Sequence, residues 1–143
     1  MTIKSIEVVI RAFNEEDWLI SCMQSLVAQT IYPTKVKIVD NNSSDSTASR
    51  AKFFINQSPL NLEYCLYNNP PEGYRPGHCL NQYALTSSSK YIVFLSAHCI
   101  PVDRVWLENL YNAIDHDDNI AGVYGRQLPT NKSDSRDARD LMW

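Results

Sequence analysis

The sequence predicts an α/β fold, a mostly parallel sheet flanked by helices on both faces. Three observations predict it. Short β-rich runs alternate with stretches of helical periodicity in the order β-α-β-α-β-α-β-α-β, and such alternation builds parallel sheets through crossover helices. Residues 91–95, YIVFL, are five apolar residues in a row with no alternation, the pattern of a strand buried on both faces. Small polar residues follow the strands, and ligands of open α/β sheets sit at the carboxyl ends of the strands.

Residues 5–13, SIEVVIRAF, form the first predicted strand. Asn14 is read as the N-cap of the helix that follows, with Glu15, Glu16 and Asp17 placing negative charge in its first turn. Trp18, Leu19, Cys22, Met23, Leu26 and Val27 recur at three-and-four spacing, which predicts an amphipathic helix of about four turns ending near Gln29. The second strand is 34–40, TKVKIVD, and ends on Asp40. The polar run 41–45 supplies turn and cap residues. A second helix over 46–56 presents Ala48, Ala51, Phe54 and Ile55 on one face. Residues 60–67, LNLEYCLY, alternate and predict a third strand nearer an edge. Residues 68–76 are a loop by composition. Pro76 then opens a third helix over 77–88, where its missing N–H costs nothing. After the strand at 91–95, Asp103 caps a helix carrying Trp106, Leu107, Leu110, Tyr111 and Ile114. Residues 120–128, IAGVYGRQL, predict a last strand whose two glycines suggest a bulge or a close approach. The remainder to Trp143 is polar; its Asp134, Asp137 and Asp140 read as solvated.

The bulk properties exclude several classes. At 143 residues, 44% hydrophobic and 20% charged, the chain is one ordinary globular domain. A net charge of −3 offers no basic stripe for nucleic acid. No apolar run approaches the ~20 residues of a membrane span, and the first residues show no signal-peptide core. Cys22, Cys65, Cys79 and Cys99 form no C-x-x-C pair and read as reduced, buried thiols rather than a zinc site. There is no G-x-G-x-x-G after the first strand and no P-loop.

What remains at the strand ends is Phe13-Asn14-Glu15, Asp40-Asn41-Asn42 and Ser96-Ala97-His98, with Arg75 at a helix start nearby. Asp40 could accept from a base N–H or a ribose hydroxyl, and Phe13 could stack on a base. Arg75 and free backbone donors could hold phosphates. Each residue has a plainer role: Asp40 as a turn former, Phe13 as core, Asn14 and Asp45 as caps, His98 as a structural imidazole. Their convergence at one end of one sheet favours a nucleotide site.

These residues also carry a family resemblance. VVIRAFNEE at 8–16, SLVAQT at 25–30, KIVDNNSSDST at 37–47 and YIVFLSAHCIPVDRVWLENL at 91–110 together resemble the donor-binding half of a family 2 glycosyltransferase with the Rossmann-like GT-A fold. RAFNE and GRQLP resemble bacterial enzymes that add rhamnose or similar sugars to surface polysaccharides. The resemblance implies a nucleoside-diphosphate sugar as donor and a sugar or lipid-linked acceptor, at a cytoplasmic location that extends to the inner membrane face. It implies base contacts from Phe13 and Asp40, a pocket lined by Asn14, Glu15 and Asn42, and a diphosphate near Arg75 and Ser96. Residues 1–129 would form the half-domain, and 130–143 the start of an acceptor-binding half that supplies the general base. A half-domain alone would expose apolar surface and tend to form homo-oligomers. The alternative is a non-catalytic or truncated sugar-nucleotide-binding domain. The family's metal-binding D-x-D falls on Ser96-Ala97-His98, so both acids are replaced. His98 is then the candidate ligand for a divalent metal, manganese more readily than magnesium, or else donor binding is metal-independent.

Overall fold

A computed structural model describes residues 5–129 and Ser133. Strands and helices alternate as β1 (Ile6–Ala12), α1 (Leu19–Val27), β2 (Lys35–Asp40), α2 (Thr47–Ile55), β3 (Leu62–Leu66), α3 (Pro76–Thr86), β4 (Tyr91–Ser96) and α4 (Trp106–Asp115). The strands form one sheet in the order β3-β2-β1-β4, and every neighbouring pair is parallel.

The two-residue period of a strand sorts β1 onto two faces. Val8, Ile10 and Ala12 pack with Val36 and Ile38 against Leu19, Cys22, Met23 and Leu26 of α1 and Ala51 of α2. Ile6 joins Leu107 and Tyr111 of α4 in a neighbouring cluster. On the opposite face, Val9 and Val39 pack with Tyr67 and with Cys79 and Tyr83 of α3. Three helices therefore cover one face and α3 covers the other. Burial of each Leu or Ile here is worth about 1.5–3 kcal/mol. Burial also pushes the Cys22 thiol up to about 12, so it behaves as a neutral core group.

Two polar devices tie the layers. Gln29 is buried, yet its amide is satisfied: it donates to Ser25 O and Asp103 O at 3.0 and 2.8 Å and accepts from Leu107 N at 2.9 Å. That locks the start of α4 to the end of α1. At the amino end of the sheet, buried Glu7 meets Lys37 Nζ at 2.8 Å and accepts from Ser87 Oγ at 2.8 Å.

Four expectations are corrected. Residues 91–95 are not buried on both faces: β4 ends the sheet among the described residues, and Phe94 is 44% exposed. Asp103 does not cap α4: Val105 stands at the cap position, and Asp103 Oδ1 accepts from Val105 N in the turn before it. Residues 120–128 form no strand: a strand needs a ladder partner, and β4 pairs with β1 while its outer side bonds to no strand among the described residues. Asn14 is not an N-cap. It stands five residues before Leu19, in the left-handed region at φ 53°, and Trp18 occupies the cap position, where no side chain caps the helix. The acidic run 15–17 thus forms the approach to α1, not its first turn. Residues 130–132 and 134–143, with Asp134, Asp137 and Asp140, lie outside the described residues.

Candidate functional site

At the carboxyl end of the sheet, the loop after β1 and the loop after β2 hold each other. Asn14 N donates to Ser43 Oγ at 2.8 Å, and Ser44 N donates to Asn14 Oδ1 at 2.9 Å. Glu15 N donates to Thr47 Oγ1 at 2.8 Å. Glu16 N donates to Asp45 Oδ2, while Ser46 N donates to Glu16 Oε2 at 2.9 Å. Each loop turns through one left-handed asparagine, Asn14 at φ 53° and Asn42 at φ 59°, the non-glycine type that best tolerates that conformation. Asp45 also accepts from Thr47 N at 2.9 Å. Burial by itself would raise the Asp45 carboxyl, but the hydrogen bonds from Thr47 and Glu16 outweigh it and hold the group below the ordinary carboxylate range.

Asp40 is the post beneath this clamp. It is 1% exposed. Oδ1 accepts from Ser43 N at 3.0 Å and Ser43 Oγ at 2.5 Å, and Oδ2 accepts from Tyr64 OH at 2.5 Å. The Tyr64 hydroxyl is pushed up by burial and by this bond to Asp40. Both carboxylate oxygens therefore serve the fold.

Beside the clamp, on the α3 face, lies a cleft of about 470 Å3 lined by Phe13, Glu15, Asn41, Asn69, Ser96 and His98, among others. Asn41 continues the β2 ladder, its N–H donating to Ala12 O at 2.9 Å. By strand alternation it faces opposite to Asp40 and into the cleft. It is 9% exposed, and its side-chain Oδ1 has no hydrogen-bond partner. A buried acceptor left unpaired costs about 1–3 kcal/mol, a cost that an N–H reaching it from the cleft would relieve. Phe13, 56% exposed, offers a ring at the same end.

The other end of the cleft is charged. β1 and β4 pair in register, Arg11 opposite Ser96, and Arg11 Nη2 donates to Ser96 Oγ at 3.1 Å. Arg11 Nη1 donates to Tyr74 OH at 3.3 Å. His98 Nδ1 lies 2.6 Å from Glu15 Oε1. Cys79 also lines the wall; burial raises its thiol despite the nearby Arg11 charge, so it is a neutral surface and not a nucleophile.

A divalent cation does not fit this donor set. Glu15 supplies the one carboxylate of the cleft lining, and it is engaged by His98. Ser96 is a neutral hydroxyl already bound to a guanidinium. Among the described residues no three His, Cys, Asp or Glu side chains cluster as metal ligands. The cysteines are free thiols, and His78 Nδ1 is 2.9 Å from Tyr67 OH.

Of the residues expected from sequence, Phe13, Glu15, Ser96 and His98 line the cleft. Asn14, Asp40 and Asn42 lie in or under the loop clamp. Arg75 is exposed at the N-cap of α3 and outside the lining. The cleft adds Arg11, Asn41, Asn69 and Tyr74. Two of these had a readable signal: Arg11 is the lone cation late in a buried strand, and Asn41 falls on its side of the sheet by alternation. Asn69 and Tyr74 sit in a loop whose path no periodicity encodes.

The sequence pattern of Glycosyl transferase family 2 matches residues 7–141. The O-antigen chain rhamnosyltransferase RfbN of Salmonella typhimurium is 30% identical over 125 residues, 87% of this chain and 37% of that protein. The chain thus spans little more than a third of that relative. Among solved structures, S. aureus TarS 1-349 in complex with UDP-GlcNAc matches with a TM-score of 0.65 and 22% identity, over 88% of this chain and 37% of that one. The mannosyltransferase PcManGT of Pyrobaculum calidifontis, in complex with GDP-Man and Mn2+, matches with a TM-score of 0.65 and 23% identity, over 76% of this chain and 32% of that one. These likenesses agree with the parallel α/β sheet and give it the GT-A-type, Rossmann-like form.

Proposed function

Because the chain belongs to glycosyl transferase family 2, we propose that it is the donor-binding half of an inverting glycosyltransferase that uses a nucleoside-diphosphate sugar in bacterial surface-polysaccharide synthesis. The observation that carries the reading is the unpartnered Asn41 Oδ1 in a cleft at the carboxyl ends of β1, β2 and β4. It accepts from the nucleobase, with Phe13 against the base and Asn69 beside it. Asp40, Asn14, Asn42 and Asp45 act indirectly, by fixing the loops that carry Phe13 and Asn41. The diphosphate extends toward Ser96 and His98, and Arg75 stands at the outer rim.

In the reaction, an acceptor hydroxyl oxygen forms a bond to the anomeric carbon as the bond from that carbon to the diphosphate oxygen breaks. The electron pair leaves on the diphosphate, and the hydroxyl proton passes to a carboxylate base. Glu15 is engaged by His98, so the base is assigned to an acceptor-binding half that follows residues 1–129, with 130–143 as its beginning. The acceptor is a sugar or lipid-linked sugar, met at the cytoplasmic face of the membrane; no helix among the described residues is long and apolar enough to cross one. Manganese is present in the PcManGT structure, so its effect is tested here, although His98, at the place of the family's metal motif, is engaged by Glu15 and the donor set does not suit a divalent cation.

Calorimetric titration with UDP, GDP and dTDP, each with and without Mn2+, tests the reading. Saturable binding of one diphosphate, weakened at least tenfold by Asn41→Ala, is expected. Absence of binding to all three would remove the donor site and leave a degenerate domain of the same fold.

A further inference from the structure

The Arg11–Ser96 contact bears on how the chain handles the charge of a diphosphate. Arg11 stands one residue before the end of β1, on the α3 face, and half-buried. A guanidinium there needs a reason: taking a cation out of water is costly unless something anionic answers it. No carboxylate among the described residues pairs with it. Its two bonds go to neutral oxygens, Ser96 Oγ at 3.1 Å and Tyr74 OH at 3.3 Å. Both hold the guanidinium in place without cancelling its charge. A guanidinium carries five N–H donors in a fixed fork, so three remain for a ligand after these two bonds. The plane is thus held at the cleft wall with donors to spare, the arrangement suited to bidentate phosphate recognition.

The residue at 96 makes this possible. An aspartate opposite Arg11 would neutralise the guanidinium and supply an acid for a metal. Serine does neither. It accepts one hydrogen bond and leaves the charge available. On the far side, Glu15 is occupied by His98 at 2.6 Å, which keeps the cleft's one carboxylate off Arg11. α3 adds a second feature: it begins with Pro76, and the Gly77 and His78 N–H groups that follow head an eleven-residue helix whose cap residue, Arg75, makes no side-chain cap bond. Those donors and the helix dipole favour an anion.

We infer that Arg11, oriented by Ser96 and Tyr74, binds the donor diphosphate in place of a divalent metal, so that this chain takes its nucleotide without one. This rests on the donor-site reading above and adds to it the group that answers the charge. When the bond to the anomeric carbon breaks, the electron pair that stays on the diphosphate meets a fixed cation with no ligand exchange.

The experiment compares nucleoside mono- and diphosphates of uridine, guanosine and thymidine by calorimetry on the full chain, in EDTA and in Mn2+. The expected result is a diphosphate that binds in EDTA at least tenfold tighter than its monophosphate. Arg11→Gln should erase that advantage while moving the monophosphate less than threefold, with a circular-dichroism melt confirming the fold. Ser96→Asp gives a second route that keeps the arginine: its carboxylate should pair with Arg11 and weaken the diphosphate at least tenfold in EDTA. Diphosphate binding that vanishes in EDTA, or that neither substitution changes, overturns the Arg11 assignment and leaves the donor site standing. Failure of every nucleotide to bind in either condition overturns the donor-site reading and the Arg11 assignment together.

Discussion

His98 Nδ1 and Glu15 Oε1 lie 2.6 Å apart, joining the loop after β4 to the loop after β1 across the mouth of the cleft. The His98 side chain is 56% exposed and that of Glu15 16%. An exposed pair of this kind contributes about 0–1 kcal/mol to folding, so its loss should barely move the melting temperature. Its place at the cleft gives it leverage on a bound nucleotide. His98→Ala is expected to cost under ~1 kcal/mol of stability and to weaken nucleoside-diphosphate binding about tenfold or more. A variant with unchanged affinity would make His98 structural.

The Asp45 clamp gives a pH dependence whose sign follows from its depressed ionisation. A carboxyl held below its unfolded value of about 3.9 contributes stability that is present above that value. It is lost as pH falls through the lower, folded value. Glu63 behaves likewise: its hydrogen bond with Lys35 is the main cause of its lowering. Unfolding in urea followed from pH 7 to pH 2 should therefore show stability falling below about pH 4. Asp45→Asn should be less stable at pH 7 by about 1 kcal/mol, the usual worth of such a capping bond, and should show a shallower acid limb. An acid limb identical to that of the parent would mean that Asp45 gains nothing from Thr47 and Glu16.

Asn14 separates backbone from side chain. Its φ of 53° costs an ordinary residue about 1–2 kcal/mol, while its Oδ1 accepts from Ser44 N. Asn14→Gly loses only the second, and Asn14→Ala loses both. Chemical denaturation should find alanine less stable than glycine by about 1 kcal/mol. Equal stability would show that the left-handed turn relaxes when the side chain goes.

Much of the fold could be read because its strands are short runs rich in β-branched and aromatic residues, too short for a helix and set between stretches of helical period. The core of α1, Leu19, Cys22, Met23 and Leu26, follows the spacing seen in sequence. The reading failed where a residue's role depends on another element. Asn14 has the chemistry of a cap, but its partners are Ser43 and Ser44, about thirty residues away. Residues 120–128 have β-forming side chains but no ladder to join. At the site, polarity at the strand ends located the cleft, whereas the facing of Asp40 and Asn41 decided which of the two reaches it. Arg11 is visible in sequence as a lone cation late in a strand, but its availability to an anion is legible only from its neutral partners, Ser96 and Tyr74.

Asp40 and Tyr64 test the post beneath the clamp. Tyr64→Phe removes the hydroxyl and leaves Oδ2 of a carboxylate that is 1% exposed without its 2.5 Å donor. An unsatisfied buried group of this kind costs about 1–3 kcal/mol, more when charged. The variant should lose at least that much in denaturant unfolding, and bind nucleotide more weakly because the loop carrying Asn41 loosens. Full stability in Tyr64→Phe would mean that water replaces the phenol and that Asp40 is not sealed.

The outer edge of β4 predicts association. β4 pairs with β1 on one side and bonds to no strand among the described residues on the other. Phe94, on the thinly covered α3 face, is 44% exposed. An open apolar edge next to a large exposed ring is the arrangement that pairs with another strand. The isolated chain should therefore sediment with a concentration-dependent mass above that of the monomer. Phe94→Lys, which sets a charge on the edge without touching the α1 and α2 core, should restore the monomer with little change in melting temperature. A monomer at every concentration would show that the edge is covered, and residues 120–128, rich in β-forming side chains, are the segment of this chain suited to cover it.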